Sequence, residues 1–443
     1  MTKYITEGVY MKLTFSSLQW MVFILAGSLV APIAIGDAFG MTQAETADLL
    51  QRSFLIIGVS AILQALFGHK LPINEGPAGL WWGVFTVYAG IVASGALTVA
   101  DGLQQLTAGM LISGVLFLLL GMFRIISSVR ALFTPLVTGT YLILLVSQLS
   151  GSFIKGMLGI GYLQEGADSK VALTSLFILI LSIVLGKSRV KWLRSYSILI
   201  SLLLGWGLFR ILNLTKETMH SNTTFAFPEL LAWGMPELSS GTIITSLFVG
   251  MLLLTNMVAS INVVEKAYET EKKDYEPINY NRSSIMMGIN TWIAGLFSAV
   301  ASVPISGSAG FILTTKMFSK LAFIIGNALI ILISFFPPLT FFFAGIPAPV
   351  GYATIFLPFS SMIGLAFKEY RSELKSENNL FIISTSLMVG IGSLFIPAAA
   401  LKEWPNIIVT LLSNGLIMGM LTCMILEQFY KRRNSHQHVQ KED

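Results

Sequence analysis

The chain alternates between long apolar blocks and short polar stretches. Fourteen blocks are read from this pattern: residues 14–36, 49–68, 74–94, 102–123, 129–153, 171–186, 190–214, 240–264, 283–302, 304–319, 321–343, 347–367, 379–398 and 403–429. A helix needs about 20 residues to cross a ~30 Å hydrocarbon core. Backbone polar groups in lipid must be satisfied internally, so the blocks are predicted to be membrane-crossing helices. The third and tenth blocks differ from the rest. Each opens with a Gly/Pro/Ser-rich stretch before its apolar part.

Charge then orients the blocks. Only 12% of residues are charged, about half the share of a soluble domain. With the N-terminus placed in the cytoplasm, 22 of the 28 Lys and Arg fall on the cytoplasmic side. Such a bias favours fourteen spans with both termini inside. The net charge of +5 therefore reflects topology and does not point to nucleic acid. Every loop is short, which leaves no room for a soluble catalytic domain. The single cysteine, Cys423, permits no disulfide framework, and the four histidines form no spaced pair within a span. No metal, no cofactor and no enzyme chemistry are expected. The first apolar block is too long for a cleaved signal peptide.

The two unusual blocks resemble each other. Glu75-Gly76-Pro77-Ala78-Gly79-Leu80 matches Ser306-Gly307-Ser308-Ala309-Gly310-Phe311 as x-G-x-A-G-apolar. A second echo, P-x-x-x-G, opens the fifth block at Pro135 and the twelfth at Pro347. Both echoes pair blocks seven apart. An odd unit inserts its second copy upside down, which gives the inverted repeat common in secondary transporters. Five extended residues at about 3.3 Å each reach about 16 Å, near the middle of a ~30 Å core. That depth holds Glu75 to Ala78 from one side and Gly307 from the other. Helices starting near Ala78 and Ala309 would aim free N–H groups and positive dipole ends at one central point.

These residues resemble the nucleobase–ascorbate transporter family, which includes uracil and xanthine permeases. The tenth block ends in the family's G-x4-T-basic pattern, as Gly310, Thr315 and Lys316. The context Leu18-Gln19-Trp20-Met21 and the Pro-rich openings of blocks five and twelve also fit. The resemblance implies an all-α polytopic protein of fourteen spans in a seven-plus-seven inverted repeat. Short antiparallel strands would open spans three and ten at the midplane. A core domain would comprise residues 14–123 and 240–343, and a gate domain 129–214 and 347–429, followed by a cytoplasmic tail 430–443. Elevator-like alternating access and a homodimer in the cytoplasmic membrane are implied as well. The chain departs from the family where a base would be held. Gly307 and Ser308 stand where the signature has Glu or Gln and then Asn, Asn256 stands for a span-eight glutamate, and Trp20 for a span-one histidine.

The predicted substrate site comprises Glu75, Gly76, Ala78, Asn256, Ser306, Ser308, Ala309, Gly310, Gln19 and Trp20. Glu75 is the one acid that the topology places near the midplane, and intramembrane acids are costly and functional. It is the candidate proton carrier or substrate anchor, and otherwise a helix cap. Asn256 offers both a donor and an acceptor to a base edge, or else an interhelical bond. The serines and the amides of Ala309 and Gly310 suit a carbonyl or an anionic base; their alternative is small-residue packing. Trp81 could stack on a ring. The expected function is proton symport of a nucleobase, purine ahead of pyrimidine. The alternatives are another small anion on the same fold, as in carriers of the sulfate-permease type, and a channel.

Overall fold

The computed structural model describes residues 2–126, 128, 134–216, 219, 221–396, 398–401, 404, 406–412 and 414–439. The expected span starts at 129 and 403 and the tail residues 440–443 lie outside these. The first half runs α1 (Thr2–Ser28), α2 (Val30–Ala38), α3 (Gln43–Phe67), β1 (Glu75–Pro77), α4 (Gly79–Ala93), α5 (Val99–Met122), α6 (Pro135–Met157), α7 (Ser169–Gly186), α8 (Lys191–Ser195) and α9 (Ser197–Ile211). The second runs α10 (Ser240–Thr270), α11 (Tyr280–Leu296), β2 (Ser302–Pro304), α12 (Gly307–Thr315), α13 (Lys320–Ser334), α14 (Pro337–Ala344), α15 (Ala348–Tyr370), α16 (Glu377–Ser393), α17 (Asn406–Leu412) and α18 (Gly415–Val439).

Among the described residues, seven stretches are long and apolar enough to cross a membrane alone: Met11–Ala38, Gln43–Phe67, Val99–Met122, Pro135–Met157, Ser169–Gly186, Ser240–Thr270 and Ala348–Tyr370. The helices α4 and α9 are apolar but shorter, and α12 and α13 form a pair bent by 119°.

The polar stretches between blocks supply the helix starts. Thr42 and Glu45 form a capping box on α3, and Thr98 and Asp101 form one on α5. Thr134, Asp168, Ser239, Asn279, Ser319 and Ser376 accept first-turn amides of α6, α7, α10, α11, α13 and α16. Each such cap stabilises its helix by about 1 kcal/mol.

Prolines account for the breaks. Pro32 removes a donor and crowds the carbonyl of Ser28, and the first block breaks there at Leu29. The eleventh block, expected as one helix over 321–343, divides where Pro337 opens α14. Pro358 lies inside α15 and leaves the Thr354 carbonyl without its helical donor. The Ser182 hydroxyl on α7 donates to that carbonyl at 3.2 Å. A neighbouring helix thus repairs the gap, as lipid cannot.

The helices sort into two sets. In one, α3, α5, α10, α11, α13 and α14 pack together with α1 and α2; in the other, α6, α7 and α9 pack with α15, α16 and α18. Within the first set α5 and α11 approach backbone to backbone. A Cβ on Gly114 would lie 3.0 Å from the Gly288 carbonyl oxygen, and one on Gly288 2.8 Å from that of Gly114. Small residues at such crossings let helices associate where no hydrophobic force between them exists.

Candidate functional site

The segment Leu71-Pro72-Ile73-Asn74-Glu75-Gly76-Pro77 carries two prolines, and Ser302-Val303-Pro304 carries one. A residue before proline is pushed out of the helical region, so both segments run extended. They pair antiparallel, with Glu75 opposite Pro304, Gly76 opposite Val303 and Pro77 opposite Ser302. The ladder closes through Ile305 N–H to the Asn74 carbonyl at 2.8 Å and Ala78 N–H to the Ala301 carbonyl at 2.9 Å. Gly76 is required in the middle, since a Cβ there would lie 2.9 Å from Ile305 Cγ1.

Each strand feeds a short helix, α4 after β1 and α12 after β2. Neither helix has a side-chain cap. Ala78 has no group to offer, and the Ser306 hydroxyl makes no capping bond. The first-turn amides of α4 therefore keep their donors toward the centre of the molecule. In α12 the Ser308 and Ala309 amides are engaged, donating to the Ile305 and Ser306 carbonyls at 3.1 Å. The Ala309 amide, a predicted ligand donor, is not free in this conformation.

The sequence echo was set in the wrong register. A shift of 227 residues relates β1 to β2, and 228 relates the starts of α4 and α12. The x-G-x-A-G match implies 231. Pro77 thus corresponds to Pro304, and the counterpart of Glu75 is Ser302. Frequent Gly and Ala produced a match about one helical turn out of place.

The predicted residues fall into three groups. Ser306 and Gly310 are exposed, and a Cβ on Gly310 would meet nothing within 4 Å. Asn256 on α10 and Gln19 on α1 are half-buried; the Gln19 Oε1 has no partner among the described residues. Open space therefore lies against α12, edged also by exposed Gly27 and Gly307. The second group is structural. Ser308 is fully buried and its hydroxyl accepts the Asn74 N–H at 2.8 Å. Trp20 is fully buried too, its ring 4.6 Å from that of Phe311 and 4.9 Å from that of Phe323. It packs core and does not front the open space, contrary to expectation. Trp81 is likewise 1% exposed.

Glu75 stands apart. It is 1% exposed, and neither carboxyl oxygen has a hydrogen-bond partner among the described residues. Strand neighbours alternate faces. Gly76 shares one face with Asn74, whose Nδ2 lies 3.8 Å from a Cβ built on Gly27. Glu75 points the other way, where His69 Nε2 lies 3.9 Å from its Oε1. His69, Asn74 and Ser302 were not predicted as site residues. The only signal for them was their position within or beside the Pro-rich strand segments.

The two helix sets touch at several places, among them Tyr196 against Phe311 of α12, with ring centroids 6.2 Å apart. Tyr352 on α15 donates to Asp37 Oδ2 and to the Ala34 carbonyl, both at 3.3 Å. Trp82 on α4 lies against Phe153 and Phe359, and Gln148 on α6 donates to the Gly83 carbonyl at 2.9 Å. Glu276 joins Lys70, just before β1, to Lys320, at the start of α13. The Lys70 hydrogen bond holds the Glu276 carboxyl below its ordinary range.

This geometry can be set beside known proteins. The model of a permease family matches residues 11–399. A Bacillus subtilis protein named "Putative purine permease YwdJ" is 42% identical over 438 residues, 98% of this chain and all of that one. The uric acid permease PucJ of Bacillus subtilis is 26% identical over 94% of this chain and 92% of its own. Among solved structures, the transmembrane domain of the cyanobacterial bicarbonate transporter BicA superposes with a TM-score of 0.59 at 16% identity, covering 93% of this chain and 96% of that domain. Murine Slc26a9, an anion transporter in its inward-facing state, gives 0.60 at 11% identity, covering 94% of this chain and 68% of its own. These two likenesses concern fold alone. A match across nearly the whole chain, on a bundle of apolar helices, decides the class: the chain belongs to the permease family of xanthine and uracil carriers, and is an integral membrane transporter and not an enzyme.

Proposed function

We propose that this protein is a proton-coupled symporter of a purine-type nucleobase. The observation that carries the reading is the 42% identity, end to end, with a relative named for purine transport. Relatives named for uric acid and xanthine point to the same class of planar, hydrogen-bonding solute. The open space beside α12, with Asn256, Gln19, Ser306 and the exposed Gly310 backbone around it, suits such a ring.

Fourteen spans in two inverted sevens, with both termini cytoplasmic, accommodate the fold. The charge bias supports the orientation, and the near-constant shift between β1–α4 and β2–α12 supports the repeat. The helix set containing both strands would be the core, residues 14–123 and 240–343. The other would be the gate, residues 129–214 and 347–429, and elevator-like sliding of one set on the other would carry the site across. Glu75 is the proposed proton carrier. An ionised carboxylate buried without a partner is disfavoured by several kcal/mol, so the site would cross most easily with that carboxyl protonated. The working unit would be a homodimer in the cytoplasmic membrane.

Anion transporters share the fold, and uncapped half-helix N-termini suit an anion. The test is therefore uptake of labelled xanthine, hypoxanthine, guanine, urate, uracil and sulfate into cells lacking their own carriers, with and without a protonophore. Protonophore-sensitive accumulation of one or more purines is expected. Uptake of sulfate alone, or of no base, refutes the reading.

A further inference from the structure

The Glu75 carboxyl and His69 form a buried pair outside the open space, six residues apart on the segment that leads into β1. Both are 1% exposed. The Leu71 N–H donates to His69 Nδ1 at 3.1 Å. That bond makes Nδ1 the acceptor nitrogen, so the neutral ring carries its proton on Nε2. Nε2 has no hydrogen-bond partner among the described residues, and it lies 3.9 Å from Glu75 Oε1. A closing movement of about 1 Å would bring the two to hydrogen-bond distance.

Several charged groups on the elements around this pair have partners elsewhere. Lys70 bonds Glu276. Arg52 on α3 donates to the Ser298 carbonyl at 3.2 Å, and Glu45 closes the cap of the same helix. Asp48 sits in the second turn of α3, and Lys12 on α1 is exposed. On the elements that pack against β2, Glu265 accepts from Tyr275, and Arg282 lies in the first turn of α11. Among the described residues, His69 Nε2 is the nitrogen recorded within 4.0 Å of the Glu75 carboxyl; the Ser302 hydroxyl, also without a partner, stands on the same strand face.

We infer that His69 is the positioning residue of the coupling site: a neutral imidazole, locked in one tautomer by the Leu71 amide, whose Nε2–H meets the Glu75 carboxylate when its proton leaves. The inference rests on the reading of Glu75 as proton carrier. In this scheme the transported proton binds to a Glu75 oxygen and departs from it to water. The Nε2 proton stays on His69 throughout. The ring cannot take up a second proton without breaking the Leu71 bond. It would therefore hold Glu75 in place and steady the ionised form, and would not itself relay the proton.

The test uses the full chain in lipid vesicles. Infrared difference spectra across a pH titration report the carbonyl band of protonated Glu75, identified by its loss in Glu75→Gln. His69→Phe, which removes the donor, should move the midpoint of that band up by about 1–2 pH units. The pH profile of purine uptake should move with it. His69→Gln keeps an N–H near the Nε2 position and should return the midpoint to the wild-type value. An unmoved midpoint in His69→Phe, or an equal shift in His69→Gln, overturns the inference while leaving Glu75 as carrier. No band lost in Glu75→Gln means instead that the carrier reading itself fails. If His69→Phe does not fold, nitrogen-15 NMR of the wild-type ring decides. A neutral Nε2–H tautomer throughout the transport pH range is expected, and an imidazolium appearing in that range overturns the inference.

Discussion

Gly310 offers a substitution in which the effects on fold and on transport should have opposite signs. It lies within α12, is exposed, and a Cβ built on it meets nothing within 4 Å. Alanine there relieves the backbone freedom of a helical glycine and should stabilise the protein by about 0.5–1 kcal/mol. If the open space beside it receives substrate, the added methyl intrudes on the bound ring. Overpacking of that kind costs about 1–3 kcal/mol, or about a 5- to 150-fold rise in KM. Gly310→Val should raise KM further. Initial-rate uptake into proteoliposomes, paired with thermal unfolding of the same preparations, separates the two effects. Wild-type KM in Gly310→Val, with stability retained, would mean that substrate does not approach this face, and the placement of the site beside α12 would be wrong.

Three further outcomes follow from the hydrogen bonds. Ser308→Ala should strip the buried Asn74 N–H of its acceptor and destabilise the protein by about 1–3 kcal/mol, measured by thermal unfolding in detergent; an unchanged Tm would remove Ser308 from the structural role. Ser182→Ala should leave the Thr354 carbonyl unpaired beside Pro358, a loss of about 0.6–1.7 kcal/mol readable by the same assay. Glu276, with its carboxyl held below the ordinary range by Lys70, contributes stability that is present above the usual carboxylate value of 4.5 and is lost as pH falls through its lowered folded value. A small, salt-sensitive fall in Tm on acidification should accordingly disappear in Glu276→Gln.

Much of the architecture was legible because lipid imposes it. Block lengths located most of the helices to within a few residues; the Thr, Asp, Ser and Asn caps at their starts went unread in the sequence. The interrupted blocks marked where strands replace helix, since consecutive X-Pro steps exclude helix locally. What could not be read depends on contacts across the fold. Asn74 and Ser308 are bonded across 234 positions, and no local pattern announces such a partner. Trp20 looked like a cavity residue because a histidine occupies that place in relatives of the resembling family. Its fate was set by Phe311 and Phe323, whose rings close around it. His69 was passed over because a loop histidine means little until the Leu71 amide and Glu75 are seen around it. The glycine–alanine echo pairs residues 231 apart, whereas the strands lie 227 apart and place Pro77 and Pro304 at equivalent positions.

If the two halves are the copies proposed above, that register bears on how they drift apart. The ladder between β1 and β2 is made of main-chain groups, which apart from proline's missing N–H do not depend on the side chain, so positions other than Gly76 are free to vary. Mutation can therefore rewrite one half without disturbing the pairing that joins it to the other. Glu75 and its counterpart Ser302 sit on either side of such a divergence, one acidic and one a small alcohol, at matching places on the strands. On the proposed repeat, symmetry would be kept in the backbone while the ionisable group at this position stands in one copy only. A molecule built as proposed would acquire a new ionisable group by one substitution in one half, with no compensating change required in its twin.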